Sequence, residues 1–179
     1  MSPPVSINAD TNHFTLKIPN KELQIIFKDS VSGWFKSEIV PHSLDDIVRQ
    51  MWAYDASGLT KTFTDLLTKS ISGYDYSEAF YHAFILGIMT LTPYMVKSNR
   101  ETGEGRTDIF VVDDDRVVII EFKIADTVDK MSDRAYDALA QIENRHYAEE
   151  FIADGYPEII KMGVGFFKKR CVVKMEHVK

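Results

Sequence analysis

The chain has 179 residues, 45% of them hydrophobic and 27% charged, with a formal net charge of −6. That composition provides for one well-packed domain with a small appendage, and it excludes extended disorder and indiscriminate coating of nucleic acid by phosphate neutralisation. The single cysteine, Cys171, excludes an internal disulfide and a cysteine-built zinc site and suits a reducing compartment, so the expected location is the cytoplasm.

The start, "MSPPVSINADTNHF", has neither a basic n-region nor an apolar h-region, and no secretory signal is expected. "FTLKI" alternates as a short strand. "PNKELQIIFKDSVSGWFK" follows as a helix, with Pro19 and Asn20 as start signals and Leu23, Ile26 and Phe27 at helical spacing. Two further helices are predicted: "SLDDIVRQMWAYD", capped by Ser43, and "TKTFTDLLTKSIS", capped by Thr60, with Gly58 and Gly73 as punctuation. Trp34 and Trp52 are expected to anchor these helices. Residues 1–70 thus read as a small helical unit and residues 71–179 as a second domain.

From Tyr74 the pattern changes. A long helix is predicted from Ser77 to about Thr92. Its run "AFYHAFILGIMTLTPYMV" approaches the ~20 residues of a membrane span, but His82, Thr90, Thr92 and Pro93 make it a buried amphipathic helix, and no membrane association is expected. A short strand follows Pro93. Two apolar runs joined by Asp113, Asp114 and Asp115 come next, then a helix from about Lys130 to Ala153. The strands "EIIKMGVGFF" and "CVVKME" close the chain around a basic turn, Lys168 to Arg170. The order αβββαββ implies an α/β fold, a mixed sheet with helices on its faces. Residues 160–179 hold Lys161, Lys168, Lys169, Arg170, Lys174 and Lys179 against Glu176 alone, which is either a solvated face or a phosphate-facing one.

The paired apolar runs, "GRTDIFVVDDDRVVIIEFK", carry charges where Val or Ile would pack more easily. If Asp114 and Asp115 form a two-residue loop, Asp113 pairs with Arg116, and counting outward sets Asp108 opposite Glu121. Opposed residues share a face with Cβ atoms roughly 4.5–5.5 Å apart, and Lys123 lies on that face one pleat further on. Such loops prefer Asn-Gly or Asp-Gly, and a slip of one residue would break the constellation. Two carboxylates that close need a cation or a proton between them, and a hard divalent ion such as Mg²⁺ suits them. With a lysine beside a metal-bound water, this is a site for phosphodiester hydrolysis. An equally simple reading makes Asp108 a loop cap and Glu121 with Lys123 an ion pair at a strand end.

These residues resemble the D…(D/E)xK signature of the PD-(D/E)xK nuclease superfamily, with Asp108 as first acid and Glu121-Phe122-Lys123 as second element. "YSEAFYHAFILGIMT" resembles the first core helix of that superfamily, with its acid at Glu78. "ALAQIENRHYAEEFI" resembles the second, with Gln141 and Tyr147. More narrowly, "SEAFYHAFIL", "GRTDI", "IIEFK", "ALAQIENRHYAEEF" and "GVGFFKKR" are similar to the nuclease-like domain at the C-terminus of a group of predicted AAA-type ATPases in bacteria and archaea, and "LKIPNKEL" to the linker before it. Two departures stand out: no GxxxxGK[ST] phosphate loop is present, and Thr107 replaces the proline of the superfamily's name.

The resemblance implies a restriction-endonuclease-like core, preceded by the small helical N-terminal unit. It implies that Asp108, Glu121 and the Phe122 carbonyl bind Mg²⁺ or Mn²⁺, that Glu78 assists, and that Lys123 activates the attacking water. Gln141 and Tyr147 would support the site or contact nucleic acid. The implied activity is DNA hydrolysis, with an AAA-type ATPase domain or a second copy as possible partner; the alternative is a catalytically silent binding or regulatory module. Plainer readings exist for three of these residues. Glu78 follows Ser77 at a helix start, where the macrodipole favours an acid. Gln141 could be an exposed helix residue and Tyr147 plain core. His82 and His146 lack ligand spacing and read as packing or surface.

Overall fold

The run from Val117 to Ile120 is fully buried on both faces, which marks a central strand. In a computed structural model of the protein, which describes residues 5–8, 13–16, 41–70, 76–102 and 105–178, it forms the middle of a five-stranded mixed sheet. The strands are β3 (Met95–Thr102), β4 (Gly105–Val112), β5 (Arg116–Ile124), β6 (Glu158–Phe167) and β7 (Arg170–His177), in spatial order β3-β4-β5-β6-β7. Only β5 and β6 run parallel; the other neighbours are antiparallel. The α/β expectation holds. The chain divides into two compact units, Met1–Glu38 and Ile39–Lys179.

In the first unit, β1 (Val5–Asn8) pairs antiparallel with β2 (His13–Leu16). The strand expected near "FTLKI" corresponds to β2, whereas β1 lies in the start that reads as merely polar. The helix expected over 19–36, with Trp34, and the punctuation at Gly73 lie outside the described residues.

The second unit begins with α1 (Pro41–Trp52) and α2 (Ala56–Ser70). A domain boundary near residue 70 is not where the compact units part, because α2 is bonded to β7: the Thr60 hydroxyl accepts from the Val173 amide at 2.9 Å. Both helices start earlier than predicted. Pro41 supplies a preset φ for the first turn of α1, so Ser43 lies inside it. Asp55 caps α2, accepting from the Gly58 amide at 2.8 Å, so Thr60 lies in the second turn and donates back to the Ala56 carbonyl. Helix α1 stops at Tyr54, a residue with φ +58 that lets Asp55 N–H reach the Gln50 carbonyl.

Helix α3 (Glu78–Met89) begins where expected, and Ser77 caps it, its side chain accepting from the Phe80 amide. Tyr81, Phe84, Ile85, Ile88 and Met89 form its buried face, at the spacing of 3.6 residues per turn. Tyr81 stacks on Phe166 with ring centroids 4.3 Å apart, and His82 meets Phe122 edge-on. Among the described residues no helix is long and apolar enough to cross a membrane.

The helix expected over 130–153 is two helices, α4 (Met131–Asn144) and α5 (Glu149–Ala153). His146 adopts φ +55, and Tyr147 N–H turns back to the Ile142 carbonyl, which ends α4 without a glycine. Alternation along β5 and β6 puts Phe122, Val164 and Phe166 on the face covered by α3, and Glu121, Lys123, Gly163 and Gly165 on the face covered by α4.

Candidate active site

The β4–β5 hairpin sets the register of the site. Its paired residues run from Val112↔Val117 to Ile109↔Ile120, and Asp113 N–H bonds the Arg116 carbonyl at 2.8 Å. This is the register counted from the loop Asp114-Asp115. The turn is pinned by its own charges: Arg116 holds the Asp113 carboxylate at 2.8 Å and lies 4.1 Å over the Trp52 ring. The Arg116 side-chain bond, with the Asp114 amide, keeps the Asp113 carboxyl below the usual carboxylate range. Trp52 thereby ties the end of α1 to the hairpin.

Asp108 belongs to β4 and directly precedes Ile109, which pairs with Ile120 of β5; its side chain lies outside the described residues. Glu121 directly follows Ile120 on β5. The residue is 3% exposed, buried like the apolar residues around it, and Gln141 on α4 donates a close hydrogen bond to its carboxylate. A carboxylate so placed costs several kcal/mol unless it is bonded, and Gln141 meets that need on one oxygen. Lys123 stands two residues on, on the same face, half-buried at the strand's mouth.

Gln141 reaches Glu121 because α4 lies unusually close to the sheet. The strand neighbour of Glu121 is Gly163 and that of Lys123 is Gly165. A Cβ at Gly163 would fall 2.1 Å from the Ala135 carbonyl oxygen, and one at Gly165 2.0 Å from that of Met131. Helix backbone rests directly on strand backbone at both places. Sequence reasoning missed these glycines as part of the site. The available signal was G-x-G inside an apolar strand, which marks close backbone approach.

Two residues further along α4, Glu143 bonds Lys161 of β6 at 2.8 Å, and Glu176 of β7 bonds the same ammonium at 2.9 Å. Burial pulls the Lys161 ammonium down, but the two carboxylates outweigh it and hold its pKa above the ordinary lysine range. The Lys161 hydrogen bond likewise holds Glu143 below the ordinary range. These bonds fix the rotation of α4 about its axis, and with it the direction of Gln141.

The remaining predicted residues are not gathered at Glu121. Glu78 is exposed in the first turn of α3, on the opposite face of the sheet. Tyr147 is 1% exposed within a cluster that includes Val117, Ile119, Leu139 and Ile142. His82 is half-buried, with Nε2 3.0 Å from the Ser98 hydroxyl, and His146 is exposed beside Glu149. Among the described residues, no group of three His, Cys, Asp or Glu is placed to hold a metal.

A mixed five-stranded sheet, helices on both faces, and a carboxylate and lysine on the central strand beside a hairpin define a restriction-endonuclease-like α/β protein. The family model of the PD-(D/E)XK nuclease superfamily matches residues 76–176, more than half of the chain. The chain belongs to that superfamily. No curated protein matches it.

Proposed function

We propose that the protein is a divalent-metal-dependent nuclease that hydrolyses phosphodiester bonds in DNA. The observation that carries this reading is Glu121: a buried carboxylate, held by Gln141, two residues from Lys123 on the same face of the central strand. Asp108 and Glu121, with the Phe122 carbonyl, would supply the all-oxygen donor set that Mg²⁺ or Mn²⁺ takes. Such an ion, when bound, makes its water more acidic and offsets charge on the phosphate.

The chain's own residues do the rest. Gln141 holds the Glu121 carboxylate by its hydrogen bond and so fixes that side chain's direction. Lys123 brings a compact positive charge to the scissile phosphate and orients the attacking water through an N–H bond. Glu78, in the first turn of α3 across the sheet from Glu121, would act through a water or the substrate rather than as a direct ligand. Tyr147 acts through the packing behind α4. The wider resemblance supports an AAA-type ATPase, or a second copy of the chain, as partner, in the cytoplasm.

The test is cleavage of labelled DNA, single-stranded and duplex, with Mg²⁺ or Mn²⁺. The wild type should cut, and Asp108→Ala, Glu121→Ala and Lys123→Ala should each lose at least ~100-fold. Cutting that survives in all three would end this reading, and DNA binding without any cutting would replace it with a silent binding module.

A further inference from the structure

We propose that the β6–β7 turn, Lys168-Lys169-Arg170, is the element that grips the nucleic-acid backbone on one side of the scissile phosphate. The inference rests on the reading of the Glu121 end as a phosphodiester site and names where the flanking phosphates lie.

Position comes first. Lys123 pairs with Gly165, and β6 continues only to Phe167 before the turn, so Lys168 follows Gly165 by three residues at the same end of the sheet. The turn is also tied to the helix that carries Glu78: the buried Tyr81 hydroxyl, one turn along α3, donates to the Lys168 carbonyl at 2.8 Å. On its other side the Thr68 hydroxyl reaches the Lys169 carbonyl at 3.5 Å, which brings Lys69, the exposed last-turn base of α2, to the same patch. The backbone is thus clamped from two helices, and the Lys168 ammonium lies 5.2 Å over the Phe167 ring.

Charge comes next. Lys168 and Arg170 are exposed and Lys169 half-exposed, and none of the three forms an ion pair among the described residues. Two other cationic side chains of the sheet are committed to carboxylates, Lys161 to Glu143 and Glu176, and Arg116 to Asp113. Glu78 and Asp65 are the acids on the elements that clamp the turn, fewer than its bases. The hairpin end of the sheet is the reverse, with Asp113, Asp114, Asp115 and Asp154 gathered around Tyr156. A chain of net charge −6 therefore presents a polar field along its strands, repelling phosphates at one end and drawing them to the other.

Strain supplies the third observation. Lys168 has φ +51, a conformation that favours glycine, in a two-residue turn where glycine would sit without cost. A lysine kept there carries its charge at the expense of turn stability.

The experiment measures anisotropy of a fluorescein-labelled 20-nucleotide DNA across a salt series, with Ca²⁺ replacing Mg²⁺ to hold off cleavage. Compared are wild type, Lys168→Gln/Lys169→Gln/Arg170→Gln, and a control of equal charge, Arg49→Gln/Lys61→Gln/Arg145→Gln. The turn variant should bind ~10–100-fold more weakly and its log–log salt slope should fall by about 2 to 3, one for each lost phosphate contact. In Mg²⁺ its KM should rise with kcat unchanged, and Lys168→Arg/Lys169→Arg in the same turn should keep wild-type affinity. A turn variant that matches the control in affinity and slope overturns the inference, while metal-dependent cutting by the wild type still upholds the catalytic reading. A wild-type chain that neither binds nor cuts DNA overturns both.

Discussion

Adding one methyl group at Gly163 tests how the site is built. The new Cβ would lie 2.1 Å from the Ala135 carbonyl oxygen, 2.9 Å from Leu139 Cγ and 3.0 Å from the Leu139 amide nitrogen. An unstrained carbon–oxygen contact is about 3.2–3.4 Å, so α4 must withdraw by roughly 1 Å, and helix backbone, unlike a side chain, cannot rotate aside. Overpacking of this kind costs ~1–3 kcal/mol, or about 2–12 °C in Tm for a domain of this size. The same displacement pulls Gln141 from Glu121, and a misplacement of ~1 Å is worth up to ~100-fold in rate. Gly155→Ala is the matched control. Gly155 has φ +84 and open space around its Cβ position, so alanine there costs ~1 kcal/mol of stability but leaves α4 where it is. Thermal melts and single-turnover DNA cleavage separate the cases: Gly163→Ala should lose stability and rate, Gly155→Ala stability alone. A Gly163→Ala protein that melts and cuts like wild type would refute the packing argument.

Gln141→Leu keeps the side chain's bulk but removes the donor to Glu121; it should cost ~1–3 kcal/mol of stability and lose ~10–100-fold in metal affinity and cleavage, measured by thermal melts, Mn²⁺ titration and turnover. Glu143 titrates below the ordinary carboxylate range when folded, so its bond to Lys161 stabilises the protein above the unfolded pKa and is lost as pH falls through the depressed folded value. Glu143→Gln should therefore cost about 0.3–1 kcal/mol at pH 7, the small figure reflecting an exposed carboxylate, and nothing at the acid end of urea melts run across pH. Cys171 is 2% exposed and its thiol is pushed up to about 12, mainly by burial, so a thiol reagent at pH 8 should leave it untouched in the folded protein and label it at the rate of unfolding.

The parts of this fold that were legible in the sequence are those governed by local rules. The hairpin register followed from counting outward from Asp114-Asp115, because side-chain alternation admits no half steps. The start of α3 at Ser77 was recognisable, and the sheet's mixed character followed from element order. Helix ends at Tyr54 and His146 were not legible: both stop their helix in the left-handed region, where glycine is the usual signal, and neither is glycine. The start of α2 was misplaced for a related reason, since Asp55 precedes a glycine that reads as a break but lies in the first turn. At the site, Glu121 and Lys123 were visible as charges out of place in an apolar strand. Gly163 and Gly165 were not visible in that role, because the absence of a side chain matters only when the helix pressed against it is known. Tyr147 shows the limit from the other side, a residue whose type fits a site and whose surroundings are core.

The parallel pairing of β5 with β6 has a consequence for the order in which the protein matures. The hairpin that bears Glu121 and Lys123 can close on local contacts alone, but Gln141 comes to Glu121 only when α4 has settled on Gly163 and Gly165 of a strand more than thirty residues downstream. Such long-range closure is the slow part of folding an α/β chain. During synthesis the carboxylates therefore leave the ribosome well before their surroundings exist, and a nascent chain that ends before Glu158 carries the charged residues without the pocket that makes them act together.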